Sequence, residues 1–192
     1  MFPGDLLKSE DTLCFLNNKD PELHVAAKTA LDWRGFRHNL AYDETLILWG
    51  SRPAGPPKWF GSHFPNRINA TRLFDNKLPN DFALSPLLQT PEGPLVSEPE
   101  RALLEMLSEV GVHQEVDEAR QIMEGVRQLR SETMARLLKA CKMVKAVRLC
   151  VGWAEELGLP WATKAREAAK GIMGTGRWVT RLKDGTTLIL KP

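Results

Sequence analysis

Cysteine is scarce in this chain, and the few that occur form no recognisable pattern. Cys14, Cys141 and Cys150 are odd in number and widely spaced, and no C-x-x-C pair is present. A disulfide framework or a structural zinc site would need such pairs. We therefore expect the three cysteines to be small residues of the hydrophobic core.

Long hydrophobic runs are also absent. The longest, such as Thr45–Trp49 and Leu188–Leu190, are far shorter than the roughly 20 residues that cross a bilayer. The first residues, MFPGDLLKSED, contain neither the basic region nor the apolar region of a signal peptide. These absences predict a soluble, cytoplasmic protein.

No common catalytic motif occurs in the sequence. The four histidines lack the H-x-x-x-H and H-x-H spacings that place two imidazoles on one metal ion. There is no G-x-S-x-G nucleophile motif and no P-C-x-x-C motif of the zinc deaminases. We predict no catalytic residue, no metal ligand and no cofactor, and we do not expect an enzyme.

One short pattern keeps an enzymatic alternative open. Asp75, Asn76 and Lys77 have the D-x-K spacing of metal-dependent nucleases. The three residues fall in a polar turn at the end of a predicted strand, without an obvious acidic partner upstream. We therefore interpret them as turn residues and keep a nuclease-like enzyme as the last alternative.

The net charge of +2 hides a strong asymmetry along the 192 residues. Residues 1–126 carry 12 lysines and arginines against 19 aspartates and glutamates, whereas residues 127–148 carry seven against one. Such a division predicts either an internal interface between the two parts or a surface that faces a polyanion. Composition alone leaves both readings open.

The clearest element of the sequence is VSEPERALLEMLSEVG, residues 96–111. Ser97 and Glu100 have the S-x-x-E spacing of a capping box, and Pro99 falls in the first turn, where its missing N–H costs little. The residues of the apolar face follow at helical spacing. They are Leu103, Met106, Leu107 and Val110. We expect a structural helix, with Glu98, Glu100 and Arg101 forming a cap and an internal ion pair.

The residues before this helix alternate between helical and extended patterns. Helices are predicted over Ser9–Leu16 and Pro21–Arg34, the second ended by Gly35, and GSRPAGPPKWFGSHFPN is predicted to be an ordered loop. Four segments have strand patterns. They are Thr45–Trp49, Arg67–Phe74, Phe82–Leu88 and Pro94–Val96. We expect a small mixed or antiparallel sheet of three to five strands.

The residues after this helix are mainly helical. Helical patterns cover Val116–Leu129, Ser131–Cys141, 143–157 and Trp161–Lys170, and two alternating runs around Asp184 and Gly185 predict a final β-hairpin. The fold class is therefore α+β, with a small sheet packed against a carboxyl-terminal helical bundle. We expect an acidic, strand-containing subdomain over 1–96 and a basic, helical subdomain over 97–192, together one compact domain.

The basic segment is the strongest functional signal that the residues themselves provide. Its cations recur at spacings of three or six, which on a continuous helix would bring them near one face, but a predicted break near Ser131 weakens that geometry. They are Arg127, Arg130, Arg136, Lys139, Lys142, Lys145 and Arg148. The segment is interpreted either as a solvated face or a partner of the acidic part, or as a patch that contacts nucleic-acid phosphates or another partner.

Four segments of the chain resemble one protein family. They are HVAAKTALDWRG (24–35), VSEPERALLEML (96–107), EARQIMEGVRQLR (118–130) and LLKACKMVKAVRLCVGWAEELGLPW (137–161). In combination they are similar to AbiEi-like antitoxins, the transcriptional regulators of type IV toxin–antitoxin systems in phage defence. The similarity corresponds to the family's carboxyl-terminal antitoxicity region, and the amino-terminal winged helix-turn-helix that binds operator DNA is expected to be missing.

This resemblance implies a function and a partner. It implies a non-catalytic antitoxin that neutralises a nucleotidyltransferase-like toxin, characteristically without a stable complex between the two proteins. No operator-reading residue is carried over. DNA or RNA binding through the basic segment is the alternative, and no membrane partner is expected.

Overall fold

The computed structural model describes residues 7–36, 45–50, 55–181, 185 and 187–190. Within these ranges no helix is long and apolar enough to span a membrane. The helices are α1 (Ser9–Asn17), α2 (Ala27–Trp33), α3 (Lys58–His63), α4 (Pro99–Glu109), α5 (Val116–Gly125), α6 (Ser131–Ala140), α7 (Val144–Glu156) and α8 (Ala162–Ala169). The strands are β1 (His24–Val25), β2 (Leu46–Trp49), β3 (Asn66–Asn69), β4 (Leu84–Ser85), β5 (Val96–Ser97), β6 (Trp178–Arg181) and β7 (Thr187–Leu190).

Five short strands form one mixed sheet in the order β3-β2-β1-β5-β4. The central strand β1 pairs antiparallel with β2 and parallel with β5, so that Val25 lies between Leu48 and Val96. The outer pairs are β2 with β3, which are parallel, and β4 with β5, which are antiparallel. The predicted α+β class with a small mixed sheet is confirmed.

The prediction of one helix over Pro21–Arg34 is wrong in its first part. His24 and Val25 form the central strand, and α2 begins only at Ala27. Ala27 has a positive φ of 48°, and its backbone N–H donates to the buried carboxylate of Glu105 at 3.1 Å. A contact with a residue 78 positions away therefore sets the start of α2, and Gly35, with a φ of 88°, follows its end as predicted.

Several other boundaries in the acidic part differ from the prediction. The predicted loop contains α3, whose Phe60 is fully buried and packs its ring 5.2 Å from that of Phe64. The predicted strand over Arg67–Phe74 pairs only up to Asn69, and Phe74 forms an isolated bridge with Cys141 instead. Long-range pairing therefore decides how much of each alternating segment becomes strand.

The capping box predicted for α4 does not form. The helix begins at Pro99, as the proline indicates, but its N-cap is Glu98 and no side chain caps it. Ser97 lies in β5 and donates its hydroxyl to Glu105, while Glu100 accepts hydrogen bonds from Arg130. Charged tertiary partners have replaced the local contacts of a capping box, because charge-assisted hydrogen bonds are stronger than neutral ones.

The helices after the sheet lie close to their predicted positions. Helix α4 contacts α2 on one side and α5, α6 and α7 on others, while α8 packs on α6 and α7. Gly158, at a φ of 60°, follows the end of α7, where a glycine was predicted to end the helix. The terminal hairpin is present as the antiparallel pair β6 and β7, although Asp184 of its turn lies outside the described residues.

One hydrophobic core joins the sheet to the helices. Its members include Leu48 and Val96 from the sheet, Leu104 from α4 and Val147 from α7, all fully buried. Cys141 and Cys150 belong to this core, as predicted, whereas Cys14 is only half-buried and is not a member, so the prediction for it is wrong. The division between 1–96 and 97–192 stays a prediction, and the point where it was placed falls inside β5.

A buried carboxylate lies at the junction of the sheet and α4. Oε1 of Glu105 accepts a hydrogen bond from Nε of Arg101 at 2.9 Å and lies 3.2 Å from Nε2 of His24. Oε2 accepts from the hydroxyl of Ser97 at 2.8 Å and from the backbone of Ala27. Burial by itself raises the pKa of Glu105, but the contact with His24 and the other donors outweigh it and hold the pKa below its ordinary value.

Replacing this carboxylate tests how far the fold depends on it. Glu105→Gln removes the charge that offsets Arg101 and places an amide NH₂ against donors. We expect the free energy of unfolding to fall by about 3 kcal/mol, within the range for breaking a buried ion pair. Urea unfolding measures this loss. Glu124→Gln, at an exposed position on α5, should change it by less than about 0.5 kcal/mol, and equal losses in both variants would contradict the prediction.

Candidate functional site

The structure separates the seven cations of the basic segment into two groups. Arg127, Arg136, Lys139 and Lys142 are exposed on or beside α6. Arg130, Lys145 and Arg148 make specific contacts with other parts of the protein. The segment is not one continuous helix, because α6 and α7 are separate helices with an extended connection between them. The seven side chains therefore do not lie on one face.

The two cations of α7 are buried. Nζ of Lys145 donates to the carbonyl oxygen of Val110 at 2.9 Å, just beyond the end of α4. Nε of Arg148 donates to the carbonyl oxygen of Met173 at 2.6 Å, in the connection that leads to the hairpin. Burial lowers the pKa of Lys145, although Glu109 nearby partly offsets this effect. Both side chains hold other segments against α7 and do not share the surface of the exposed cations.

Arg130 joins the basic segment to the acidic start of α4. Its guanidinium bonds both carboxylate oxygens of Glu100, and it pairs with Glu98 as well. Its backbone N–H donates to Glu100 at 2.7 Å. Burial alone raises the pKa of Glu100, but the hydrogen bonds from Arg130 outweigh burial and lower it, while the same bonds raise the pKa of Arg130. Glu98, Glu100 and Arg101 do form internal ion pairs, as predicted, but their partners are Arg130 for the two glutamates and Glu105 for Arg101.

The exposed cations form a surface that we call the α6 face, defined as Arg136, Lys139 and Lys142. The guanidinium carbon of Arg136 lies 4.1 Å from the centre of the Phe82 ring, which holds this side chain near residues 72–82. The backbone N–H of Lys142 donates to the carbonyl oxygen of Leu73 at 2.9 Å. These contacts place the α6 face directly beside the segment that follows β3.

A cavity of about 510 Å³ opens at this same segment. Its volume lies within the roughly 300–1,000 Å³ of small-molecule sites. It is located where the parallel strands β2 and β3 end, since Trp49 is the last residue of β2 and Ala70, Thr71 and Arg72 follow β3. His24, the first residue of the antiparallel β1, lies opposite Trp49 at this edge of the sheet.

The cavity contains polar side chains of both charge signs. Glu22, Arg72, Asp75 and Arg101 all contribute to its lining. Sequence reasoning missed Glu22, Arg72 and Arg101 as site candidates, because none belongs to a motif and the three come from separate segments. Of these four side chains, only Asp75 was considered as a site residue from the sequence, as part of the D-x-K pattern of nucleases.

The structure places the two charged residues of the nuclease-like D-x-K pattern in different surroundings. Oδ1 of Asp75 accepts the backbone N–H of Lys77 at 2.9 Å, which is the predicted polar turn. Asp75 lines the cavity and Lys77 does not. In the part of the chain that the structure describes, no group of three or more histidine, cysteine, aspartate and glutamate side chains could hold a metal ion.

Comparison with known proteins identifies the family. The fold and its surfaces define a small α+β protein with a cationic face beside a polar cavity. Residues 43–188 match the family described as "Transcriptional regulator, AbiEi antitoxin, Type IV TA system", and residues 1–42 match "Transcriptional regulator, AbiEi antitoxin N-terminal domain". The chain belongs to this family of AbiEi antitoxins and transcriptional regulators.

The match to the amino-terminal domain bears on one prediction. The expected loss of the family's amino-terminal module is not confirmed, because residues 1–42 match that domain. In the structure these residues contribute α1, β1 and α2, and β1 is the middle strand of the sheet. Sequence patterns did not predict β1, because a strand of two residues is too short to show an alternation of polar and apolar residues.

One solved structure shows the same fold at low sequence identity. The crystal structure of the RV2827C protein from Mycobacterium tuberculosis is similar with a TM-score of 0.55 and 14% identity. The match covers 88% of this chain and 60% of that one, so this chain spans well under two thirds of its length. No curated protein sequence gives a significant match.

The pair between Glu100 and Arg130 predicts a defined response to acid. Because the pKa of Glu100 is lower in the folded protein than in the unfolded chain, the pair stabilises fully above the ordinary carboxyl pKa of 4.5. This contribution is lost as the pH falls through the folded-state pKa. Glu100→Gln should therefore lower the free energy of unfolding by about 2 kcal/mol at neutral pH, and the difference from the wild type should shrink as the pH falls below 4.5.

Urea unfolding across this pH range measures the difference. Glu124→Gln is the matched control, since Glu124 is exposed and its replacement should change stability little at any pH. A difference between wild type and Glu100→Gln that stays constant from neutral to acidic pH would contradict the assignment.

Proposed function

We propose that this protein is the antitoxin of a type IV toxin–antitoxin system and acts without catalysis on a nucleotidyltransferase-like toxin. Membership of the AbiEi family carries this proposal, because the matched regions together span residues 1–188. The family is one of transcriptional regulators, which agrees with a role that needs no catalytic group. Neutralisation proceeds without a stable complex between antitoxin and toxin.

The fold supports a role that depends on surfaces. The acidic side chains of α4 and its N-cap have partners within the protein. Arg130 pairs with both Glu98 and Glu100. Glu105 pairs with Arg101 and contacts His24. The α6 face is exposed beside them. A toxin or an operator would therefore meet cations, while the carboxylates of α4 maintain the fold.

Co-expression with the neighbouring toxin gene tests the antitoxin function. Growth of cells that carry the toxin should be restored when this chain is produced, and size-exclusion chromatography of the mixture should show two separate proteins. A catalytically inactive toxin is the control for the burden of expression. If the chain is folded and abundant but growth remains inhibited, the antitoxin proposal fails.

A second candidate function is nucleic-acid binding through the α6 face and Arg127. The observation that favours it is that these four cations are exposed, whereas Arg130, Lys145 and Arg148 contact other groups of the protein. Exposed lysines and arginines bind phosphates by releasing counterions, so the affinity depends steeply on salt. DNA and RNA both have the required backbone.

Charge reversal at Lys139 and Lys142 tests this candidate. The double variant Lys139→Glu/Lys142→Glu should weaken binding to a short DNA duplex and make the plot of log affinity against log salt shallower by about 2, for two lost phosphate contacts. Fluorescence anisotropy at several salt concentrations measures this slope, with a short RNA as the second probe.

The control for this test keeps the same net charge. Lys8→Glu/Lys58→Glu changes two exposed lysines, one just before α1 and one at the start of α3, and neither belongs to the α6 face. Equal weakening by both double variants would indicate a general charge effect. The absence of salt-sensitive binding in the wild type would rule out this second function.

A further inference from the structure

The cavity at the carboxyl ends of β2 and β3 is lined by polar side chains from separate segments. Some of their donor and acceptor atoms have no hydrogen-bond partner among the described residues. Nε and Nη1 of Arg101 donate to Glu105 and to the carbonyl oxygens of Asn80 and Phe82. Its Nη2 donates to none of the residues that the structure describes. Arg72 is exposed at the same cavity and likewise has no ion-pair or hydrogen-bond partner within the described ranges.

Each of the two carboxylates in the cavity lining accepts a hydrogen bond with only one of its oxygens. Oε1 of Glu22 accepts from the side-chain amide of Asn80 at 2.6 Å, and Oδ1 of Asp75 accepts from the Lys77 backbone at 2.9 Å. The second oxygen of each carboxylate accepts no hydrogen bond from a described residue. The cavity therefore offers guanidinium donors and carboxylate acceptors to one ligand.

Apolar surface completes the lining. Trp49, Leu73, Phe74 and Leu78 all contribute to the cavity. The guanidinium carbon of Arg101 lies 5.4 Å from the centre of the Phe74 ring, so a charged donor and an aromatic ring are adjacent. A ligand that fits must combine an anionic group, hydroxyl donors and a flat or apolar part.

The balance of charge selects among such ligands. Glu105 already offsets the charge of Arg101. Arg72 in the lining, with Arg136 and Lys142 of the neighbouring α6 face, still outnumbers the two carboxylates of the lining. Lys77 and Asp81 in the same segment offset one another. A zwitterion would require a balance of the two signs, whereas an excess of cations, with two arginines in the lining, suits a phosphate dianion.

We infer that this cavity binds a nucleotide. Arg72 and Nη2 of Arg101 contact its phosphate, the free oxygens of Asp75 and Glu22 accept from its ribose hydroxyls, and its base packs on the apolar wall. The position agrees with the general tendency of ligands to bind outside the carboxyl ends of parallel strands. This site adjoins the α6 face, whose Arg136 and Lys142 add to its positive charge, and it does not require that the chain be an antitoxin.

The nucleotide could be free or could be the end of a nucleic acid, and the chemistry is the same in both cases. Isothermal titration of the full chain with AMP, GMP, CMP and UMP tests the free form. A short single-stranded RNA with a 5′-phosphate tests the terminal form, and binding of the RNA alone would assign the site to nucleic-acid ends. The matched nucleosides, ribose 5-phosphate and inorganic phosphate separate the contribution of each part.

The expected result is binding of at least one nucleotide, with roughly tenfold weaker binding of its nucleoside. Arg72→Ala should weaken nucleotide binding by about tenfold and leave the thermal unfolding midpoint unchanged, because this side chain has no partner in the described fold. Asp75→Asn should reduce the preference for ribonucleotides over deoxyribonucleotides. Lys170→Ala, at an exposed cation that follows α8 and does not line the cavity, should leave binding unchanged.

Three results would overturn the inference. The first is no binding of any nucleotide or of the RNA up to about 5 mM. The second is equal affinity for inorganic phosphate and nucleotides, which would indicate an unspecific anion site. The third is binding that Arg72→Ala and Lys170→Ala weaken to the same extent.

Discussion

The carboxylate of Glu105 is the contact on which the arrangement of this protein depends. It contacts the His24 ring of β1 and accepts hydrogen bonds from the start of α2, from β5 and from Arg101 of its own helix, so it joins α4 to residues about 80 positions earlier in the sequence. A buried charge without partners would cost several kcal/mol, so these elements can only come together with all donors in place. The same arrangement holds Arg101, and with it one wall of the cavity.

The charge asymmetry of the sequence has two structural consequences. Part of the basic segment binds acidic or carbonyl groups of the protein itself, as Arg130 does for Glu100 and Lys145 does for the carbonyl oxygen of Val110. Arg127 and the α6 face stay exposed. The two readings that composition left open, an internal interface and an outward cationic surface, therefore apply to different residues of one segment.

Prediction from sequence was accurate for the long helices and poor for the short strands. Helices α5 to α8 were located because apolar residues recur over several turns and Gly158 marks a stop. Strand β1 was missed, because two residues carry no period and Ala-rich sequence around them favours helix. For the same reason the cavity was not predicted, since Glu22, Arg72 and Arg101 meet only when β1, β3 and α4 are assembled.

The sequence by itself determined the fold class, the helical order, the family and the separation of acidic from basic residues. These properties depend on local periodicity and composition, which a single chain displays directly. Only the tertiary structure decided that Ser97 bonds Glu105 instead of capping α4, that Lys145 and Arg148 are buried, and which cations stay exposed. The physical reason is that the direction of a charged side chain is set by partners far away in sequence, and sequence spacing carries no information about those partners.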